Sequence, residues 1–598
     1  MAACDQQGDA KCLRQTAYLT KQLIPYIGNK RKLLPLIHHA LQHVFPEGFE
    51  GKSFFDPFAG SGAVSRFAKY LGFEVFSNDW ELYSYLSCYA YLKINPADLE
   101  CMYETWHGVE GVLDHLNHLP APSPENEFIA RYYCPRDDAF ADYRKERLFY
   151  TRANGLIIDK IRHEIETLYP FSLTPSALPT ASASFPSEGA GPGGTGHVEQ
   201  TAYREKALLL ALLIHGAATH TNTSGVFKAF HKGFGGFSGD ALHRILKPIV
   251  LTRPPLWDSP HPQHVFRMDA AELLEQLSGY EFDVAYLDPP YNQHQYGSNY
   301  HMLNTVALWD LLSPGDRETG GKAGIRRDWI LTRSDYCYRG TAARAFSSLL
   351  KGLRARYVFV SYSTEGIIPF NELMELCTKS GKVRLFTDEY VKYRGGRQSI
   401  HRLNHNVEFV ILIDTSRRTS QSDLAAIDER LTERQLNLQS RRMYVRSRIK
   451  EHFSVHEERE AVGFEVYGVT LWIDTHGYVM LKESDLNDSI NRLPLAADRR
   501  RKAKEKLLFT LQQCQCKDRV EELQQLLLVL EESRDDAAVF AAPIPGLLRK
   551  IAHRKYRKTF VESLNAIKVL QVKNPHPFTR IARKIDDVEM LAEKRFQD

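Results

Sequence analysis

Between Ser53 and Asp79 the chain passes through an apolar strand, a glycine-containing turn, a helix-like stretch and a second strand: Ser-Phe-Phe-Asp-Pro-Phe-Ala-Gly-Ser-Gly, then Ala63–Leu71, then Glu74–Asp79. That alternation commits this part of the molecule to an open α/β sheet. Apolar, β-branched or aromatic runs at Phe282–Leu287, Tyr357–Tyr362, Val383–Tyr393 and Val407–Ile413 supply further strands, with helix-like stretches Ala342–Leu353 and Phe370–Ser380 between them. One mixed sheet covered by helices is expected.

At 598 residues the chain is too long for a single compact domain. Roughly two hundred residues separate the second strand from Phe282, far more than a crossover needs, so an inserted domain is expected there. Residues 22–98 and 262–414 are expected to form the sheet domain, 99–261 the insertion, 1–21 a flexible N-terminus and 415–598 a C-terminal accessory domain. Within the insertion, Ser172–Gly196 is rich in Ser, Pro, Ala and Gly and reads as a disordered loop. The flanking patterns Tyr143–Leu168 and Glu199–Gly216 are expected to pack as helices. After Asp414 the sequence turns charged, Arg-rich and mostly helical, clearest at Asp423–Lys450 and Asp498–Ser533, with a strand-like piece at Phe464–Leu481.

Composition excludes several classes. With 43% hydrophobic and 25% charged residues the chain is of the soluble globular kind. No apolar run approaches a membrane span, and Met1–Lys21 lacks a secretory signal's pattern. A cytoplasmic location without membrane contact is expected. Nine scattered cysteines show no zinc spacing, so no metal is expected. A net charge of +4 is too small to identify a polyanionic partner.

Asp288-Pro289-Pro290-Tyr291 directly follows the apolar strand Phe282–Leu287. An amino group conjugated to a nucleobase is a poor nucleophile, because its lone pair is delocalised into the ring. A carboxylate and a backbone carbonyl that both accept its hydrogens return electron density to nitrogen as an electrophile approaches. Asp288 and the Pro289 carbonyl suit that task. Pro289 and Pro290 fix the carbonyl's direction, and Tyr291 offers a face for a base to stack on. The alternative is an ordinary turn ending a strand.

A second signal is Asp56-Pro-Phe58-Ala-Gly60-Ser-Gly62. Gly60 and Gly62 let the backbone approach a ligand, and Phe58 can border it. Asp79, ending the second strand, is placed to accept from ribose hydroxyls, although it can equally cap the helix that follows. Ser65 stands where a third glycine would complete a dinucleotide fingerprint, which argues against hydride transfer.

Together these segments resemble the Dam-like, alpha-group DNA adenine methyltransferases, in which the cofactor loop precedes Asp-Pro-Pro-Tyr and a DNA-recognition domain lies between. The matching features are Tyr26-Ile-Gly-Asn-Lys30-Arg-Lys-Leu-Leu, Asp56–Gly62, Asp79, Asp288–Tyr291 and the glycine-rich segment Thr221–Gly236. The resemblance runs from about Gln22 to Asp414. It implies a Rossmann-like sheet of the S-adenosylmethionine-dependent type, and methyl transfer from that donor to the exocyclic amino group of adenine in double-stranded DNA. Tyr26, Lys30, Asp79 and Asp288 are implied to contact donor or base, and Asp269 to lie near the donor's adenine. Asn222, Ser224, Lys228, His231 and Lys232 are implied DNA contacts.

Other readings stay open at this point. Lys30-Arg31-Lys32 can be a solvated basic run. In Thr221–Gly236 the aromatic Phe227, Phe230 and Phe234 interleave with cations, which suits a loop gripping phosphate or a hairpin with a buried stripe. A cytosine amino group or an RNA base can replace adenine, although Asp ahead of Pro-Pro-Tyr favours adenine. A non-catalytic DNA-binding protein on the same fold is a further alternative. A monomer is expected, with a cognate restriction endonuclease as a candidate partner.

Overall fold

The computed structural model describes residues 16–172, 196–236, 239, 241–315, 319–364, 366–387, 408–482, 485–532 and 537–597. The described chain forms two compact units, one built on residues 16–387 with 408–420 and the other on residues 421–597.

The first unit carries seven strands: β1 (Ser53–Asp56), β2 (Glu74–Asn78), β3 (Gln263–Phe266), β4 (Phe282–Leu287), β5 (Ala355–Ser363), β6 (Lys382–Thr387) and β7 (Glu408–Asp414). They are ordered β3-β2-β1-β4-β5-β7-β6. Pairing is parallel from β3 through β5, with Phe54 opposite Val75 on one side and Val284 on the other. Only β7 runs against its neighbours, Tyr357 and Lys382 both pairing with Asp414. This is the methyltransferase-type α/β sheet expected. Its central strands are nearly continuous apolar runs because both faces are covered: Phe54 enters the main core, while Phe55 stacks on Phe282 at 4.7 Å. The strand order reverses beside β1, so the carboxyl ends of β1 and β4 flank the crevice where open α/β sheets bind ligands.

The segment 99–261 departs from the expected separate domain. Tyr103, Ile129, Ile158 and Leu209 belong to the same hydrophobic cluster as Phe54 and Tyr286. The segment is therefore built onto the core of the sheet. Helices Arg152–Leu168 and Gly196–Thr219 pack together, and the buried Lys206 ammonium holds Glu166 at 2.9 Å. The first starts at Arg152 because Thr151 caps it, accepting from the Asn154 amide at 3.2 Å. Of the loop expected at Ser172–Gly196, residues 173–195 lie outside the described residues, as do residues 388–393 of the strand expected to reach Tyr393. Of the N-terminus expected to be flexible, residues 1–15 lie outside the described residues, whereas Tyr18 and Leu19, on a short helix, are buried, and Arg66 packs its guanidinium 4.8 Å from the Tyr18 ring.

In the second unit the helices Gln421–Gln439, Arg446–His452, Ala497–Cys514 and Arg519–Glu532 break the two long expected patterns into four. The strand-like piece is part of a four-stranded antiparallel sheet. Its hairpin turns at Tyr467 and Gly468, with φ of 50° and 76°, the paired positive values that a tight two-residue connection requires. Among the described residues, no helix is long and apolar enough to cross a membrane.

Candidate active site

The ends of β1 and β4 open into a cavity of about 910 Å³, counting its mouth, lined by three expected groups: Tyr26 and Lys30, the turn from Asp56 to Gly60 with Asp79, and Asp288 through Tyr291. Gly60 has φ +54°, and a Cβ there would lie 2.7 Å from Tyr26 Cε1. The turn thus needs glycine both for its backbone and for its distance from the aromatic wall. Gly62, at φ +73°, starts the next helix against Cys88.

Asp79 ties the turn together. One oxygen accepts from the Gly60 amide at 2.8 Å and the other from the Glu81 amide at 2.9 Å. Asp56 is 1% exposed and accepts from Ser65 Oγ at 2.6 Å and the Phe58 amide at 3.3 Å, so it braces the turn from beneath. Phe58 packs edge-on against Tyr336 at 5.1 Å, with both rings in the lining. Burial pushes the carboxyls of Asp56 up to about 7 and Asp79 up to about 6.

Lys30 is not part of a solvated run. Arg31 and Lys32 are exposed, whereas Lys30 is buried, with Nζ 3.1 Å from Asp288 Oδ1 and 4.8 Å from the Tyr291 ring centre. Burial alone would lower its pKa; Asp288, Tyr291 and Glu408 outweigh that and hold it well above its ordinary value. The segment is fixed from both ends. Asn29 accepts from the Arg31 amide at 2.8 Å, while the Tyr300 hydroxyl oxygen accepts from the Ile27 amide at 2.7 Å. Tyr296 donates to the Ile27 carbonyl at 3.2 Å. The Tyr26 ring stacks on Tyr296 and Tyr300 at 5.0 and 4.8 Å. Both tyrosines follow the Asp-Pro-Pro-Tyr turn, so that turn and the N-terminal motif are assembled as one piece.

Asp269 also lines the cavity and accepts from the Ala271 amide at 2.8 Å, capping the helix Ala270–Gln276. The expected DNA-contact segment does not line the cavity. Ser224, Lys228 and Lys232 are exposed and His231 is half-buried. Lys232 and Lys322 both lie over the Tyr143 ring, at 5.2 and 5.0 Å. Asn222 corrects the expectation: it is 0% exposed, its amide donating to the Leu148 carbonyl at 2.9 Å and accepting from Gly235 at 3.2 Å. It holds the loop and does not present a surface. Phe227 is likewise buried, packed 6.1 Å from Phe149.

Sequence reasoning missed three contributors. Glu81 lines the cavity, held by Asn304 at 2.6 Å and Thr332 at 2.7 Å, and burial pushes its carboxyl up to about 7. Only its place two residues after Asp79 could have flagged it. Thr332, Ser334 and Tyr336 form a rim from a stretch with no motif, and Glu408 stands 3.5 Å from the Tyr291 hydroxyl, brought there by β7.

The sequence is similar to those of known proteins. The chain is 29% identical over 399 residues to the Type II methyltransferase M.NlaIII of Neisseria lactamica, covering 65% of this chain and 98% of that protein. It is 29% identical over 373 residues to the Type II methyltransferase M.CviAII of Paramecium bursaria Chlorella virus 1, covering 62% of this chain and 93% of the relative. The match to the Type II methyltransferase M.FokI of Planomicrobium okeanokoites, 27% over 376 residues, covers 62% of this chain and 49% of that longer protein. No solved structure gives a significant match. Residues 26–128 and 264–313 match the D12 class of N6 adenine-specific DNA methyltransferases, a span that includes the Tyr26–Lys30 motif, the glycine turn and Asp-Pro-Pro-Tyr.

Proposed function

We propose that the chain methylates N6 of adenine at a specific sequence in duplex DNA, with S-adenosylmethionine as donor and Asp288 as the central acceptor. The observation that carries this reading is the Lys30–Asp288 pair at 3.1 Å in the cavity that also holds Gly60 and Asp79. A site for activating an amino group and a site for a ribose-bearing ligand thereby share one space.

The residues suit that donor. Asp79 keeps lone pairs for ribose hydroxyls beyond those used by Gly60 and Glu81. The close approach at Gly60 would let backbone meet ligand, Phe58 would border the methionine part, and Asp269 would hold the donor near its adenine. When bound, S-adenosylmethionine supplies a methyl group on positively charged sulfur.

In this mechanism the target adenine leaves the duplex and stacks against Tyr291. Its amino hydrogens donate to Asp288 and to the Pro289 carbonyl, which draws the nitrogen toward tetrahedral geometry and frees its lone pair for the methyl carbon. The buried Lys30 ammonium, 3.1 Å from Asp288 Oδ1, fixes the orientation of that carboxyl group. Methylation makes the nitrogen strongly acidic, so its proton passes to water without a dedicated base of high pKa. Lys228 and Lys232, both exposed, are the proposed phosphate contacts. The relatives' description as Type II methyltransferases supports a place in restriction and modification, with a cognate endonuclease as partner.

Transfer of radiolabelled methyl from donor to duplex DNA, followed by nucleoside analysis, tests the reading. Label in N6-methyladenine supports it; label confined to cytosine overturns the choice of acceptor.

A further inference from the structure

Ile330 and Leu331 are 56% and 78% exposed, and they stand at the edge of the cavity: the next residue, Thr332, lines it, as do Ser334 and Tyr336. Single exposed apolar side chains are ordinary on protein surfaces, so exposure alone carries nothing. The way the pair is held distinguishes it. The turn Arg327–Ile330 follows Arg326, whose buried guanidinium forks onto Asp310 at 2.6 and 2.7 Å and onto Asp328 at 2.7 Å. On the other side, the Thr332 hydroxyl donates to Glu81 at 2.7 Å. Between these anchors the turn packs on Gly297 so closely that a Cβ there would meet Trp329 Cβ at 3.0 Å and Thr332 Oγ1 at 2.9 Å. Gly297 lies on the short helix Tyr296–Asn299, just beyond Asp-Pro-Pro-Tyr. Ion pairs from a buried guanidinium, a half-buried hydroxyl and close packing on Gly297 thus fix two branched apolar side chains in water beside the mouth of the site.

We propose that Ile330 and Leu331 form a wedge that enters the DNA base stack and fills the space left when the target adenine turns into the cavity. The inference rests on the proposed methyl transfer to an extruded adenine. Unstacking a base costs free energy that apolar side chains inserted at the gap offset, and the apolar faces of neighbouring bases are the surface that such a pair fits. Arg327 and Arg333, both exposed, flank the pair where backbone phosphates would run.

The test uses the full chain and duplexes carrying its methylated sequence in two forms, with the target adenine either paired or facing an abasic site. Extrusion is already cheap in the second. Leu331→Ala and the double variant Ile330→Ala/Leu331→Ala should lower single-turnover transfer about tenfold on the paired duplex and less than about twofold on the abasic one. Donor affinity by calorimetry should equal that of the wild type, because Thr332 and Glu81 are untouched. Equal losses on both duplexes, no loss on either, or a drop in donor affinity matching the lost transfer would each overturn the wedge and leave the methyl-transfer reading standing. No transfer by the wild type to either duplex would overturn that reading, and the wedge with it.

Discussion

Lys30 Nζ stands 3.1 Å from Asp288 Oδ1 with the two side chains 4% and 16% exposed, so the N-terminal motif and the tetrapeptide meet in one largely buried ion pair. Removing one member leaves the other charge without its partner in a poorly solvated place. Lys30→Met and Asp288→Asn should each destabilise the fold by about 3 kcal/mol. The double variant should cost less than the sum, because the second change relieves the charge stranded by the first. Chemical denaturation of the four proteins measures this; strict additivity would mean that the contact contributes nothing.

For catalysis the same carboxylate matters more. Asp288→Ala should lower methyl transfer by at least ~10²–10³, the scale for removing one preorganised partner from a reacting group. DNA binding should survive, since the exposed cations are untouched. Transfer assays and gel shifts on one preparation separate the two effects.

Donor affinity should depend on pH. Burial raises the Asp79 carboxyl to about 6 and Glu81 to about 7, so both lose their charge as pH falls through that range. A protonated Asp79 is a poorer acceptor for ribose hydroxyls, and a neutral wall attracts the cationic donor less. Binding should therefore weaken as pH drops from 8 to about 5.5. The unliganded fold responds with the opposite sign: groups raised above their unfolded values bind protons more tightly when folded, so stability falls as pH rises between about 4 and about 7. Asp79→Asn should flatten the donor curve. Calorimetry across pH checks the first effect and denaturant melts the second.

Gly60→Ala places a methyl 2.7 Å from Tyr26 Cε1 on a backbone at φ +54°. The strain is on the order of 1–3 kcal/mol, and relief requires the Tyr26 wall or the turn to move. Donor affinity should fall at least tenfold, whereas the same change at the open position Gly225, away from the cavity, should leave donor affinity alone. Titration calorimetry decides between them.

The two classes of residue in the segment Thr221–Gly236 should separate cleanly. Asn222→Ala removes hydrogen bonds from a fully buried amide and should cost about 1–3 kcal/mol. Lys228→Ala and Lys232→Ala should leave stability unchanged and flatten the fall of DNA affinity with salt by roughly 0.9 in log–log slope per lost phosphate contact. Thermal melts and binding at several salt concentrations measure both.

The sheet and the cavity were legible because their signals are local. An apolar strand ending in Asp-Pro-Pro-Tyr, and another ending in a glycine turn, announce both strand and ligand-facing tip. What was not legible depends on long-range assembly. Asn222 reads as a polar surface residue in a glycine-rich loop, yet the loop folds around its amide. Glu81, Thr332 and Glu408 carry no motif and meet the site only through the packing of helices and the β7 register. The insertion reads as a separate domain because of its length, whereas its apolar faces share the core of the sheet.

The central claim, that Asp288 serves methyl transfer to adenine in DNA, is tested most directly by single-molecule sequencing of host DNA after expression of the wild type and of Asp288→Ala. The account predicts N6-methyladenine at one recurring sequence with the wild type and none with the variant. Methylation of cytosine amino groups, or N6-methyladenine that persists at the same sites with the variant, would contradict it.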